Sequence, residues 1–349
     1  MDASLRDGEV HVGGDARQRF HDSRGYGRPL DGNAIALAPV EAAHLLYRGD
    51  LTTVDGRDFR SFLTAQGPAF GPAFLVYVDL RDRGFYLSPA REGYLPDGLD
   101  PENVTADFVV YPRGKGPRDG EVAHRVAVVG ERTPIEAATL DPRVLAVVDE
   151  EGEVTYLGVE TVDVGGETTF EVEGVATGTL LSDRVLVWDP PAALHEDAFY
   201  GQPLSGRGAE YDLLHLSLLE AADLSARGLL ELETDGGIEA LLERGRAVEG
   251  ERFDRRLRVY RTLRDRGAVP RTGFKFGADF RVYRTVASAS DPGHSEFLVR
   301  VRPGDHVFGP RDLALDVRLA HGVRKRMVFA LDGATNEQTR WLSIGRLTP

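Results

Sequence analysis

Apolar positions along the chain fall into two patterns, and each pattern occurs twice. Phe253, Leu257, Tyr260 and Leu263 stand at i, i+4, i+7 and i+10, the spacing of one helix face, and Gly267 follows where a left-handed residue ends a helix. Phe70, Phe74, Tyr77 and Leu80 repeat that pattern ahead of Gly84, with Pro72 predicting a later start to this helix. Downstream, Phe297, Val299 and Val301 alternate with Arg300 and Arg302, the period-two signature of a half-buried strand. Leu313, Val317 and Ala320 predict another amphipathic helix closed near Gly322, and Met327–Leu331 reads as an apolar strand.

The repetition extends to the wording of the chain, at offsets of roughly 172–185 residues in the numbering. The run from His21 to Leu30 (HDSRGYGRPL) matches His195 to Leu204 (HEDAFYGQPL). Glu41-Ala42-Ala43 matches Glu220-Ala221-Ala222, each in a helical pattern that closes at Gly49 or Gly228. Val76–Gly84 (VYVDLRDRG) matches Val259–Gly267 (VYRTLRDRG), Asp107–Tyr111 matches Asp279–Tyr283, and Tyr156-Leu157 matches Trp341-Leu342. Five matches in one order indicate a tandem duplication. The expected fold class is α+β: two tandem homologous modules, each a helical or mixed lead segment followed by a small mixed α/β nuclease-like module. The expected boundaries are a catalytically blunted repeat at 1–165, a Gly- and Thr-rich junction at 166–182, the lead subdomain of the second repeat at 183–268 and its catalytic subdomain at 269–349.

At 349 residues the chain suits two cores rather than one. No apolar run approaches the ~20 residues of a membrane span, and the N-terminus lacks a signal-peptide pattern, so a cytoplasmic location with no membrane partner is expected. Cysteine is absent, which excludes disulfides and cysteine-ligated metals. The formal net charge of −14 would repel a polyanion in dilute solution. Only Lys115, Lys275 and Lys325 are lysines among the 42 basic residues. An acidic, lysine-poor surface reads as adaptation to a salt-rich cytoplasm, where screening lengths fall to ~3 Å at 1 M and local contacts outweigh global repulsion. Two of those three lysines lie inside the strongest motifs.

These motifs are Gly273–Tyr283 (GFKFGADFRVY), His294, and Lys325 within Val323–Leu331 (VRKRMVFAL). Their wording, order and spacing, from about Tyr211 to the C-terminus, resemble the archaeal tRNA-splicing endonucleases, and the fused blunted and intact copies resemble the homodimeric two-repeat members. The resemblance implies a metal-independent RNA-cleaving enzyme that takes no cofactor. It would act as a homodimer on precursor tRNA carrying a bulge-helix-bulge, leaving 2′,3′-cyclic phosphate and 5′-hydroxyl ends; no DNA partner is expected. It further implies Tyr283 as general base, His294 as general acid and Lys325 as stabiliser of the phosphorane-like transition state. Histidine, with a pKa of ~6.5, suits the acid role. Tyrosine, at ~10, needs a neighbouring cation to act as a base, so Tyr283 and His294 remain open to sharing or exchanging roles. Arg318 and Arg340, seven before and fifteen after Lys325, match the arginines that clamp a flipped bulge base in that family. An acidic loop of the inactive copy docks on the partner chain there, which points to Glu131 after the strand Val126–Val129, and secondarily to Asp119.

In the first copy Tyr111 keeps the tyrosine position, but the histidine slot falls on Gly120 or Glu121 and the lysine slot on Pro142. Lys275 and Arg281 are open to two readings, a phosphate contact or a structural salt bridge, and Asp279 reads as a turn or pairing residue. Asp279 and Glu296 lack the Glu-x-Lys of a restriction-type metal nuclease. Gly114-Lys115-Gly116 lacks the spacing of a phosphate loop, and no histidine pair has zinc spacing. The rival to an enzyme is a non-catalytic RNA-binding or assembly subunit of such an endonuclease, which the retained triad weighs against.

Overall fold

The computed structural model describes residues 2–204, 212–333 and 339–349; Tyr211, where the family likeness begins, lies outside them. The chain forms two units. The first comprises Met1–Glu160 with Val307–Leu315 and Gly345–Pro349, and the second Thr161–His306 with Asp316–Ile344. Both mix helices with sheets in the expected α+β manner. No helix among the described residues is long and apolar enough to cross a membrane.

The lead segment of each unit is a small five-stranded sheet beside a helix, and the two share one topology. In the first, the spatial order is Arg28–Pro29, Ile35–Leu37, Glu9–Val12, Asp2–Arg6, Thr53–Val54; in the second it is Gln202–Leu204, Leu213–Ser217, Arg184–Trp188, Ala176–Leu180, Leu230–Leu232. Both read third-fourth-second-first-fifth along the chain. The strand Ala176–Leu180 lies within the stretch expected as a junction. The helices are Pro39–Tyr47 and Leu218–Ala226, each followed at the C-terminal turn by a left-handed glycine, Gly49 or Gly228.

Duplicated words have become duplicated contacts. His21 and His195 each meet a carbonyl oxygen through Nδ1, that of Tyr26 or Tyr200. Buried Glu41 accepts the Gly27 and Ala38 amides, both at 2.8 Å, while Glu220 accepts the Gly201 and Ser217 amides at 3.0 and 2.9 Å. Loss of hydration pushes the Glu41 carboxyl up to about 7 despite those two donors. Arg81 lies 3.8 Å from the centre of the Tyr26 ring, and Arg264 lies 3.8 Å from that of Tyr200. Such stacked, desolvated guanidiniums are too specific to recur by chance.

In the second repeat we number the catalytic sheet β1 (Val269–Thr272), β2 (Phe280–Tyr283), β3 (Phe297–Pro303), β4 (Arg326–Asp332) and β5 (Arg340–Leu347). Its helices are α1 (Glu251–Asp265) and α2 (Pro310–Gly322). Helix α1 has the apolar face expected of it: Phe253, Leu257, Tyr260 and Leu263 are buried in the same core as Phe280, Val282, Phe297, Val299 and Val301. Burying Phe253 is worth roughly 1.5–3 kcal/mol, and its ring fills the space over Gly245, where any Cβ would stand 2.3 Å from it. Strand β2 is antiparallel to β1 and β3, whereas β3 and β4 are parallel. A parallel pair cannot be joined by a hairpin, and α2 makes the crossover.

The first unit repeats this strand order with Leu87–Pro89, Phe108–Val110, His124–Gly130, Arg143–Val148 and Val154–Thr161. Its counterpart of α1 spans Phe70–Asp82, so the helix begins before Pro72 rather than after it. Pro72 sits in the first turn, where the amides have no intrahelical acceptor and a missing N–H costs nothing. Between its two parallel strands the first unit has the short strand Ile135–Glu136 and a 3₁₀ turn, Ala137–Thr139, in place of α2.

Candidate active site

Strand register brings the three candidate residues to one edge. Val282 of β2 pairs with Phe297 of β3, and Phe297 with Arg326 of β4. Tyr283 ends β2, His294 leads into β3, and Lys325 immediately precedes β4, so all three lie at the same end of three adjacent strands. Glu296 ties these ends together. Its amide donates to the Val282 carbonyl at 3.0 Å, its carbonyl accepts the Arg326 amide at 3.0 Å, and its carboxylate accepts the Arg284 amide at 3.0 Å.

Lys325 is aimed by the turn before it. Helix α2 ends at Gly322, Arg324 takes a left-handed φ of 57°, and the Lys325 amide donates back to Ala320 at 2.9 Å. A non-glycine residue in that conformation is uncommon and marks a constrained turn. The ammonium then donates to the Ser295 carbonyl at 2.7 Å and lies 5.8 Å from the centre of the Phe276 ring. Ser295 is buried and directly follows exposed His294, so the lysine is anchored to the residue next to the histidine. Partial burial holds the Lys325 ammonium below the ordinary lysine range; the positive charge of Arg281 adds to this and Glu296 opposes it.

Tyr283 is 3% exposed and packs with Phe199 and Val269, and its hydroxyl makes no hydrogen bond among the described residues. Tyr111, at the same place in the first unit, is wholly buried and donates to Ser88 Oγ at 2.8 Å; burial pushes its phenol up to about 12. One tyrosine is a satisfied core residue and the other is an uncommitted group at a strand end. His294 likewise has no hydrogen-bond partner among the described residues. The remaining conspicuous histidines are structural: besides His21 and His195, His44 meets the Tyr26 hydroxyl at 2.8 Å and burial lowers it to about 4.

Arg340 does not join this edge. Arg318 is exposed on α2. Arg340 opens β5 opposite Leu331, at the far end of β4 from Lys325. Six residues of strand, at ~3.3 Å each, put it about 20 Å from the lysine. In the first unit Glu131 is 15% exposed, its amide bonded to Val148 and its carboxylate 3.0 Å from Arg132. Asp119, 41% exposed, accepts the Gly116 amide at 2.7 Å and lies 3.8 Å from Lys115. Asp279 is a pairing residue: buried, it binds Arg252 and Arg256 with one carboxylate oxygen and the Val301 amide, at 2.8 Å, with the other. Among the described residues no group of three or more His, Asp or Glu side chains is placed to hold a metal ion.

Glu296 and Ser295 were not identified from the sequence as parts of the site, and Arg281 was left open between a phosphate contact and a salt bridge. Glu296 and Ser295 act through backbone positions that depend on strand register, for which local wording carries no signal. Arg281 did leave one, standing two before Tyr283 on an alternating strand and so on its face of the sheet. Tyr283 and Arg281 also border a cavity of about 700 Å³ lined by Arg271, His215, Glu220 and Arg256.

Residues 253–339 match the family described as tRNA intron endonuclease, catalytic C-terminal domain, and residues 1–64 and 176–243 match its N-terminal domain. The doubled N-terminal match follows the doubled lead segment. A tRNA-splicing endonuclease of Halobacterium salinarum is 60% identical over 349 residues, covering all of both chains. One of Haloarcula marismortui is 57% identical over the full length of both, and one of Methanosarcina mazei is 35% identical over 99% of each. The relatives at 55–60% identity come from halophilic archaea, in keeping with the acidic, lysine-poor composition.

Proposed function

The chain belongs to the tRNA-intron endonuclease family and is an RNA-cleaving enzyme, and from that premise we propose that Tyr283, His294 and Lys325 excise introns from precursor tRNA without a metal ion. The 2′-hydroxyl next to the scissile bond attacks phosphorus. Tyr283 takes its proton, the bond to the 5′-oxygen breaks, and His294 protonates that oxygen as it leaves. Lys325 carries positive charge toward the phosphorane-like transition state. The products are a 2′,3′-cyclic phosphate and a 5′-hydroxyl. The observation that carries this reading is the convergence of the three groups on one sheet edge, in the copy that kept all of them, with Lys325 bonded beside His294.

Two cuts per intron call for two active sites, and a two-fold homodimer matches the paired bulges of a bulge-helix-bulge. The blunted copy then serves assembly, with the loop that begins at Glu131, and secondarily Asp119, meeting the active copy of the partner chain. Purified protein in molar salt with EDTA is expected to sediment at about twice 38.2 kDa and to release the intron with a cyclic phosphate end. Complete loss of cleavage in EDTA, restored by magnesium with the RNA fold unchanged, would defeat the metal-free mechanism.

The separation of Arg340 from Lys325 bears on the base clamp. One chain cannot set Arg340 beside the bond held by its own Lys325, so Arg340 serves the bulge cut by the partner chain, with Arg318 as the second arginine of the clamp. Each single change to alanine is expected to impair cleavage, and the double change to cost less than the two together, because both arginines act on one base. Additive losses in a double-mutant cycle would show that they hold different nucleotides.

A further inference from the structure

Among the described residues, Arg281 is the one arginine bordering the cavity beside Tyr283 that is left without an acidic partner. Two residues before Tyr283 on β2, it leaves the same face of the sheet, and its guanidinium stands 5.7 Å from the centre of the tyrosine ring. Directly opposite on β1 is Arg271, a like charge. Arg271 is committed, donating to the Gly201 carbonyl at 2.7 Å and lying 3.4 Å from Glu220. Arg256 on the same wall is held by Glu249 at 2.5 Å and Asp279 at 3.2 Å. The acids are committed too: Asp183 pairs with Arg184, and Glu220 also accepts from Gly201 and Ser217. Arg281 makes no hydrogen bond or ion pair with any described residue, and its Nε is buried without a partner, as is Nε2 of His215, which also lines the cavity. Its charge also reaches Lys325, at the point where the scissile phosphate sits in the proposed reaction. A partly desolvated guanidinium between two other cations is unfavourable until an anion joins it.

Resting on the reading that the triad cuts RNA, we infer that Arg281 and the cavity it borders form a second phosphate site, which grips the backbone phosphate next to the scissile one and receives the nucleotide attached to it. Guanidinium and phosphate match in a bidentate geometry that the compact ammonium of lysine does not reproduce. The cavity's size lies within the ~300–1,000 Å³ of ordinary ligand sites.

The test uses precursor tRNA made uncleavable by 2′-deoxy substitution at the cut, with a neutral methylphosphonate on one or the other side of the scissile phosphate. In the wild-type protein one of these substitutions is expected to weaken binding by about tenfold, as loss of a charged hydrogen bond should. The same RNA should cost Arg281→Gln almost nothing. The slope of log Kd against log salt should fall by ~0.7 for each site engaged in Arg281→Gln and be largely kept in Arg281→Lys, with the dimer mass unchanged in both. Equal losses in wild type and Arg281→Gln, or no loss in wild type from either methylphosphonate, would overturn the site. So would dissociation of the dimer by Arg281→Gln at an unchanged salt slope, which would assign the cavity to an acidic protein segment. Failure of the wild type to cut all-ribose precursor would overturn the parent reading and this one together. Normal cutting with no Arg281 dependence would remove this one alone.

Discussion

Replacing His294 by alanine is expected to slow single-turnover cleavage by about 10²–10⁴-fold while leaving affinity for precursor tRNA nearly intact, the loss typical of a general acid. His294 is exposed and makes no hydrogen bond among the described residues, so its removal should leave the fold unstrained. Tyr283→Phe should also be severe. Tyr111→Phe should leave the chemical step untouched, costing only the stability of a buried hydrogen bond to Ser88, about 1 kcal/mol. Equal damage to cleavage from the two tyrosine changes would reverse the assignment of active and inactive copies.

That contrast was readable before any fold was known, because the duplication supplies an internal control. Val282 and Tyr283 recur as Val110 and Tyr111, whereas the histidine and lysine positions do not recur. The face of α1 and the alternation of β3 were readable for the same reason: both periodicities are local. What escaped the sequence is non-local. That Arg340 faces Leu331, and so stands a whole strand away from Lys325, follows from the β4–β5 register, and fifteen residues of separation do not disclose it. The role of Glu296 is set by bonds to the end of β2 and the start of β4 at once. Arg281 was left open between a phosphate contact and a salt bridge, since charge alone does not say whether an acid stands opposite. The structure places Arg271 there instead. The first unit's 3₁₀ turn in place of α2 was equally hidden.

Lys325→Met is expected to slow cleavage by about 10²–10³-fold through loss of charge at the transition state, and the lysine itself can be watched directly. The chain has only Lys115, Lys275 and Lys325, so an NMR titration of ¹³Cε-labelled lysine has three signals, assigned by substituting each in turn. The Lys325 signal should titrate below the ordinary value of ~10.4, because burial first and Arg281 second disfavour its charged form. The folded state therefore binds this proton less tightly than the unfolded chain. Below the depressed pKa the lysine is charged in both states and folding bears the cost of its partial burial. As pH rises through the folded pKa toward ~10.4 that cost is relieved, so the contribution of Lys325 to stability becomes less unfavourable in the alkaline window only. Arg281→Gln should move the titration upward, and molar salt should do so only in part, since screening reduces the charge effect but leaves the burial effect in place. Lys325→Arg should keep a charge that no longer titrates, yet recover only part of the rate, because a planar guanidinium does not fit the Ser295 carbonyl contact made by a compact ammonium. A Lys325 signal at or above the ordinary lysine value, or a Lys325→Met enzyme within tenfold of wild type, would remove the lysine from the reaction and leave Arg281, 5.7 Å from the Tyr283 ring, as the cation to test.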